Sequence, residues 1–515
     1  MSSNKILSST FKVTLFTLFV KFLGLIKQTV LAAYCGATIE TDVFFITTGA
    51  MVNFSTIIFS AISISLLSIH TDTLINCGRE VANKLINEIL MVFIPIAVAL
   101  SLSFFTLSPY IAKVLAPAYG ESELYIMSTY IGDMSIVFVV WCYFLTINVI
   151  LETDKQFIQG KGQALFQNIF LIIGAVFLYP VFGMQVMLYA FLLSGILQCI
   201  LVTWYARDRF KFVFGKFVFG KFVLNDKLNK ICRIAVPLFL GNAIYEVNAI
   251  VDGQIATGIG KGSASILNYG ATIHDMVVGV IVTSLSTVLF SHFSTWIAEK
   301  QIDKVVVSLK LTIEVLTIIL FPIMMICIVL GDQLVEIFYG RGNFGSNEIS
   351  ITYGVVICYS LGFIFQAARA NITKVYYAFQ DSRSPMINGI LAIIINIALS
   401  ILLSRIIGVA GIALATSISM AFVTFFLARG VRRYLPEFTL RDSYIEIIKG
   451  FFATIITSFL IYFLKYQLNF GVFIAFFIES ILAISAYIII LYYMKTKCIL
   501  WGIKILKNNK LYFKR

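Results

Sequence analysis

Residues 20–47, VKFLGLIKQTVLAAYCGATIETDVFFIT, place charge inside an otherwise apolar run. Lys21 and Lys27 lie in a run that begins near Val13, and Asp42 opens the next run after a short turn centred on Gly36. At the centre of a membrane helix each such charge costs roughly 2.5–3.5 kcal/mol on insertion scales, so it faces protein or water. Six helical residues turn through about 600°, which leaves Lys21 and Lys27 about 120° apart on one broad face. Two cations can then look into one cavity. Two plainer readings stay open: Lys27 snorkels to the outer headgroups, and Lys21, too deep for that, pairs with an acid on a neighbouring helix.

The whole chain shares this apolar character. Of its 515 residues 59% are hydrophobic and 13% charged, and the mean hydropathy is +0.94, which no soluble domain matches. The alternating ten-residue segments of a barrel are absent, so backbone polar groups must be satisfied within helices. The expected fold class is all-α: a polytopic membrane protein. A net charge of +13 would suggest nucleic acid in a soluble protein; here the positive-inside bias accounts for it, and no nucleic-acid partner is expected. The eight cysteines are scattered, with no C-x-x-C and none beside a histidine. They read as small membrane hydrophobes. The start, MSSNKILSSTFK, leads into a long run without an A-x-A-like site, so a first transmembrane helix is expected rather than a cleaved signal peptide.

Apolar runs of about 20 residues predict about 14 spans: 13–34, 43–69, 88–112, 124–151, 164–180, 184–205, 234–257, 269–293, 309–331, 350–373, 386–404, 408–428, 447–465 and 471–493. With a cytoplasmic N-terminus, the even-numbered connections and the tail hold most of the 39 Lys and Arg. The outer connections hold only Lys113, Lys261, Arg341, Arg405 and Lys465, which puts both termini inside. The longest connection, Tyr205 to Arg233, contains the repeat KFVFGKFVFGKFVL. It suits a segment lying on an anionic inner leaflet, or equally a solvated linker with incidental repetition. The stretch Arg429–Lys449 and the tail from Lys495 are also basic and read as surface anchors.

A weak repeat runs through the chain. IAKVLAPAYG before span four resembles LVEIFYGRGNF before span ten, and FIQGKGQALFQN after span four resembles AFQDSRSPMING after span ten. An offset of six helices implies two pseudo-symmetric six-helix lobes with a midplane cavity, the architecture of alternating-access transporters. The expected organisation is an N-lobe at 1–206, a basic connector at 207–233 and a C-lobe at 234–430. Two further helices follow at 431–495, and a basic tail at 496–515.

Span seven, VPLFLGNAIYEVNAIVDGQIATG, follows Pro237 with Asn242, Glu246, Asn248 and Asp252. Asn248 and Asp252, four apart, share a face. Two acids in one span call for a cation or cavity water, so a structural ion pair with Lys21 or Lys27 and an ion-coupling site are both open. His274 and Asp275 are adjacent and expected on different sides, with the histidine a satisfied core residue. Arg369, with Gln366 and Asn371, forms a polar patch in span ten, while Asp133, Glu314 and Glu479 stand singly; all read first as interhelical hydrogen-bonding groups. No phosphate loop, G-x-S-x-G, metal-spaced histidine pair or D-x-D occurs. No metal site or cofactor is expected, and an enzyme is disfavoured.

Taken in order, several stretches resemble the MurJ/MviN lipid II flippases of the MOP exporter superfamily. They are Lys21-Phe-Leu-Gly24-Leu-Ile-Lys27, Gly36-Ala37 and Thr41-Asp42-Val-Phe-Phe45, then Pro237, Asn248, Asp252, Gly262-Ser263 and Leu267-Asn268-Tyr269. Gly340-Arg341-Gly342-Asn343-Phe344, Asp381-Ser382-Arg383-Ser384-Pro385 and Gly408 to Ser417 follow. The resemblance implies flipping of an undecaprenyl-diphosphate-linked glycan from the inner to the outer leaflet of the bacterial cytoplasmic membrane. It sets Lys21 and Lys27 at two cavity arginines, for the diphosphate, and Asp42 at a gate acid. Glu246 and Asp252 are the other gate or coupling candidates, with Asn248 and Arg369 in support. It also implies that the last two helices border a groove for the lipid tail. Drive by membrane potential or a Na+ or H+ gradient is expected, with cell-envelope glycan synthesis enzymes as partners. Where the family has a basic pair in span two this chain has Ser55 and Thr56, with Ser60 for a nearby Glu, and Thr272 stands for an arginine in span eight. That leaves a less cationic cavity and two alternatives: an O-antigen or capsule repeat-unit flippase, or a MATE-like cation-coupled drug exporter.

Overall fold

A computed structural model describes residues 3–160, 162–208, 226–282, 299–439, 441–465 and 470–499, with Phe293, Trp296, Ile297 and Gln467 between them. The KFVFG repeat, most of the tail and the side chains of Pro237 and Asn242 lie outside the described residues. Among the described residues there is no strand. The long helices are α1 (Ser3–Cys35), α2 (Ile39–Cys77), α3 (Arg79–Thr106), α4 (Glu121–Thr153, interrupted at 135–136), α5 (Gly162–Phe182) and α6 (Gln185–Ala206). They continue as α7 (Asp226–Thr257), α8 (Ser263–Val282), α9 (Ile302–Val329), α10 (the bent pair Ser346–Ser360 and Phe363–Ala378) and α11 (Arg383–Ile407). The last are α12 (Val409–Gly430), α13 (Arg441–Lys465) and α14 (Val472–Tyr493).

Among the described residues twelve of these are long and apolar enough to cross a membrane, thirteen if the bent α10 is one span. α7 stands at the expected seventh span, but many of its side chains lie outside the described residues and it is not in that count. At 1.5 Å per residue the 39-residue α2 is about 58 Å long, well beyond a hydrocarbon layer of about 30 Å. Its far end is accordingly polar: His70 Nδ1 meets Thr153 Oγ1 at 3.0 Å, and Arg79 pairs with Asp154 at 3.1 Å.

The chain forms two compact units, Met1–Asn268 and Tyr269–Arg515, divided within α8. In the first, α2 packs against α3, α4 and α7, and α1 against α5. Trp141 of α4 stacks on Phe191 of α6 with centroids 5.9 Å apart. Asp133 of α4 accepts hydrogen bonds from Gln185 and Tyr189 of α6, as the reading of single polar residues as interhelical groups expects. In the second unit, α9, α10 and α12 enclose Leu309, Ile372, Val375, Val423 and Leu427. The α11–α12 hairpin closes so tightly that a Cβ on Gly411 would overlap the Leu403 carbonyl. The two similar sequence segments fold alike: a short helix (Ser108–Leu115; Gly331–Tyr339) precedes an interrupted long one in each case.

Glu479 is the most deeply buried of Asp133, Glu314 and Glu479. It lies on the face of α14 that carries Phe476 and Ala483 against α9 and α13. It is 1% exposed; neither carboxyl oxygen meets a donor at full hydrogen-bond geometry, but the Gln333 side chain of the short helix Gly331–Tyr339 and the Lys465 ammonium both act on it. Nearby, Lys465 donates instead to Asp332, at 2.6 Å, and to the Val329 carbonyl. An ionised carboxylate so weakly paired in such a seam costs several kcal/mol. Glu479→Gln is therefore expected to hold or raise the thermal unfolding temperature in detergent, by the equivalent of about 1 kcal/mol; a clear drop would show that the acid is engaged.

Candidate functional site

The turn 36–38 between α1 and α2 sets up the site. Thr38 caps α2 by accepting the Thr41 N–H at 3.3 Å, and Thr41 donates its hydroxyl to the Cys35 carbonyl. Asp42 thereby falls in the first turn of α2, with no exposed surface. Its carboxylate accepts the Gly262 N–H at 2.7 Å, the Ser265 N–H at 2.6 Å, the Ser265 hydroxyl at 2.6 Å and, more weakly, the Tyr119 hydroxyl at 3.4 Å. The first N–H groups of a helix have no intrahelical partner and carry the positive end of its dipole. Gly262 and Ser265 begin α8, so an acid more than 200 residues away in sequence caps that helix. Gly262 has φ +80°, and a Cβ there would overlap the Ala37 carbonyl oxygen. Only glycine lets the α1–α2 and α7–α8 turns abut.

Further along α2, Phe45, Gly49 and Val52 continue the face that begins at Asp42 and form one wall of a cavity of about 190 Å³. Lys27 and Gln28 of α1, Asn53 of α2, Gln167 of α5 and Asn268 of α8 supply its polar groups, and Phe44, Leu171 and Phe191 its apolar ones. Gln28 donates to Asn268 Oδ1 at 2.9 Å, while its own carbonyl oxygen is buried without a partner. Lys27 is half-buried, and its ammonium has no hydrogen bond or ion pair among the described residues. No carboxylate lines the cavity. One cation, surrounded by amides that can donate, suits an anion.

The two lysines separate. Asn168 of α5 donates to the Val20 carbonyl at 3.1 Å and packs on Gly24, fixing α1 in rotation. With that rotation Lys27 lines the cavity and Lys21, half-buried, does not. In α7, Asn248 donates to Asp252 at 3.0 Å, the shared face expected from their spacing. Asp252 is 8% exposed and Glu246 half-buried, and neither lines the cavity. Arg369 donates to Met420 Sδ of α12 at 3.0 Å, and Asn371 donates to the Ala367 carbonyl of its own helix. His274 and Asp275, expected on different sides, meet at 3.0 Å, with the Asp275 side chain exposed. Ser55 donates to the Met51 carbonyl of its own helix. Among the described residues no three His, Cys, Asp or Glu gather. Gln28, Asn53 and Gln167 escaped the sequence reading because an uncharged amide in a membrane helix gives no signal until its neighbours are known.

The profile of the family described as "Lipid II flippase MurJ" matches residues 31–485. The chain belongs to this family. It is therefore a multi-pass membrane protein of a flippase family, transporters rather than enzymes. The chain is similar to the probable lipid II flippases MurJ of Treponema pallidum (strain Nichols), 23% identical over 88% of each chain, and of Borreliella burgdorferi, 23% identical over 91% of this chain and 92% of that one. Among solved structures, one titled "Lipid II flippase MurJ, inward closed conformation" aligns with TM-score 0.78 at 23% identity, covering 92% of this chain and 97% of that one. An inward-facing multidrug resistance MATE family transporter of the MOP superfamily aligns with TM-score 0.68 at 12% identity, covering 81% and 94%. At these identities the structures show the fold the family shares. The matched stretch begins at Leu31, after Lys21 and Lys27.

Asp42→Ala would leave the Gly262 and Ser265 N–H groups without acceptors, each at about 1–3 kcal/mol. A cysteine at Ala37, in a background without other reactive cysteines, should react at least tenfold faster with a membrane-impermeant maleimide in the Asp42→Ala variant. Gly262→Ala should act in the same direction, since its methyl drives the two turns apart; equal labelling rates would mean the turns are held by other contacts.

Proposed function

We propose that this protein carries an undecaprenyl-diphosphate-linked glycan, lipid II in the first instance, from the inner to the outer leaflet of the bacterial cytoplasmic membrane by alternating access. The observation that carries this reading is the unpaired Lys27 ammonium in a cavity lined by amides and by no acid. A diphosphate can leave water for a low-dielectric site only where fixed cations and donors replace its hydration. Lysine supplies the charge but not the bidentate fork of an arginine. Lys21, about two turns back toward the N-terminus of α1, is read as a second station on the same path.

The cavity is smaller than the roughly 300 Å³ of pockets that enclose a drug-sized ligand, so we read this as a contracted state with the Asp42 latch closed. The two lobes of the pseudo-repeat, residues 1–206 and 234–430, are the moving parts in this reading. Asp42 and the start of α8 then belong to different lobes, and release of the latch opens the outer side. Asp252 and Glu246 are candidate coupling acids for a Na+ or H+ gradient, Asn248 holds Asp252, and membrane potential is the other candidate drive. Both termini are placed in the cytoplasm by the distribution of Lys and Arg. The outer side is then that of the α1–α2 turn. An anionic inner leaflet and the enzymes of cell-envelope glycan synthesis are the proposed surroundings.

The MATE-like fold suggests a second reading, export of small cations. An unpaired lysine repels such cargo, which favours the anionic lipid. A capsule or O-antigen unit on the same diphosphate differs only in its glycan. Complementation of a conditional lipid II flippase-depletion strain tests the proposal. The native chain should restore growth, Lys27→Arg should keep at least a third of the transport of a labelled lipid II, and Lys27→Ala should lower it about 10- to 100-fold at equal membrane level. Undiminished transport in Lys27→Ala would overturn the role of the cation.

A further inference from the structure

We propose that the end of α12 forms a binding site for an anionic phospholipid of the inner leaflet. After Gly430 the chain makes one tight turn, Val431–Arg433, and folds back through 434–439. Between the helix end and this return lies a cavity of about 490 Å³, open on one side and lined by Phe425, Ala428, Arg429, Arg432 and Phe438. Arg429 lies one turn beyond Phe425 and Arg432 three residues further, so both guanidinium groups stand over an apolar wall. That wall continues away from them: Phe422, Phe425 and Phe426 are 50%, 61% and 42% exposed.

Neither Arg429 nor Arg432 has a hydrogen bond or ion pair among the described residues. Glu437, in the returning segment, is exposed and does not line the cavity. Asp381 is engaged elsewhere, accepting the Ser384 N–H at 2.9 Å and the Tyr434 hydroxyl at 3.0 Å. These contacts also fix the far wall. Tyr434 stacks on Phe379 with centroids 4.8 Å apart, and the 2% exposed Phe438 is packed in the core of the second unit. The groove is formed before any ligand arrives, so little ordering entropy opposes binding.

Two unpaired guanidinium forks match the oxygens of a phosphate. The exposed phenylalanines leading from them match an acyl chain, which a soluble phosphate ligand would leave unused. Inner-leaflet placement rests on the orientation proposed above, where basic residues at helix ends meet anionic headgroups. The binding itself does not rest on it, so a failed lipid test and a failed transport test are told apart by their readouts.

Native mass spectrometry of the full chain in a neutral detergent tests the site, with phosphatidylglycerol, phosphatidylcholine and the deacylated head group glycerophosphoglycerol as probes. Phosphatidylglycerol should bind in preference to phosphatidylcholine. Arg429→Gln and Arg432→Gln should each weaken it about fivefold, and the pair about thirtyfold. Phe425→Ala should weaken the lipid and leave glycerophosphoglycerol unchanged. Lys304→Gln, which removes an exposed charge outside the groove, should change binding less than twofold. All these side chains are exposed, so folding is preserved and is checked by thermal unfolding. Equal binding of the two lipids, a double variant within twofold of the native chain, or a Lys304→Gln effect as large as that of Arg429→Gln would overturn the site. Glycerophosphoglycerol binding as tightly as the lipid would replace the lipid with a soluble phosphate ligand.

Discussion

A carboxylate cannot stay ionised in hydrocarbon unless something replaces its water, and in this protein the start of α8 does so for Asp42. Four donors converge on one acid, three of them from Gly262 and Ser265. The same contact serves the helix, whose first N–H groups need an acceptor as much as the acid needs donors. Two unfavourable burials thus become one favourable contact. Where Asp42 goes, the turn 36–38, the first turn of α2 and the glycine turn before α8 must follow.

The cavity depends on that contact through geometry. Phe45, Gly49 and Val52 share the face of α2 that begins at Asp42, so whatever fixes the latch also fixes the wall against Lys27. The two charges are treated in opposite ways: Asp42 is saturated with donors, and the Lys27 ammonium has no acceptor among the described residues. A buried charge held by its surroundings is structural; one left beside an open polar space is ready for a ligand. Glu479 is a third case, an acid in an apolar seam held only weakly, through Gln333 and Lys465, and it serves no role in the transport reading.

Much of the fold was legible because membrane helices announce themselves by length and composition. The apolar runs fall on the long helices, some to within one residue, as with 471–493 against Val472–Tyr493, while others start well inside the helix, as with 13–34 against Ser3–Cys35. The seventh run, 234–257, likewise lies within a helix, α7, that ends at the same residue, Thr257. The site was legible in part. Charges in apolar runs picked out Lys27 and Asp42, and a four-residue spacing found the Asn248–Asp252 contact. The amides of the cavity and the donors on α8 were not visible, because a neutral polar residue carries little cost until the structure shows whether it is paired.

What the sequence by itself determined is the class of the protein: an all-helical membrane chain with a basic bias between its helices and a few charges it must justify. Those properties follow from transfer free energies, which are summed residue by residue along the chain. Only the tertiary structure decided which charge is satisfied and which is available. Helix rotation set Lys27 and not Lys21 on the cavity wall, and a close approach of two turns gave Asp42 its donors. Both are properties of packing between segments remote in sequence, and a linear pattern does not contain the angle at which two helices meet.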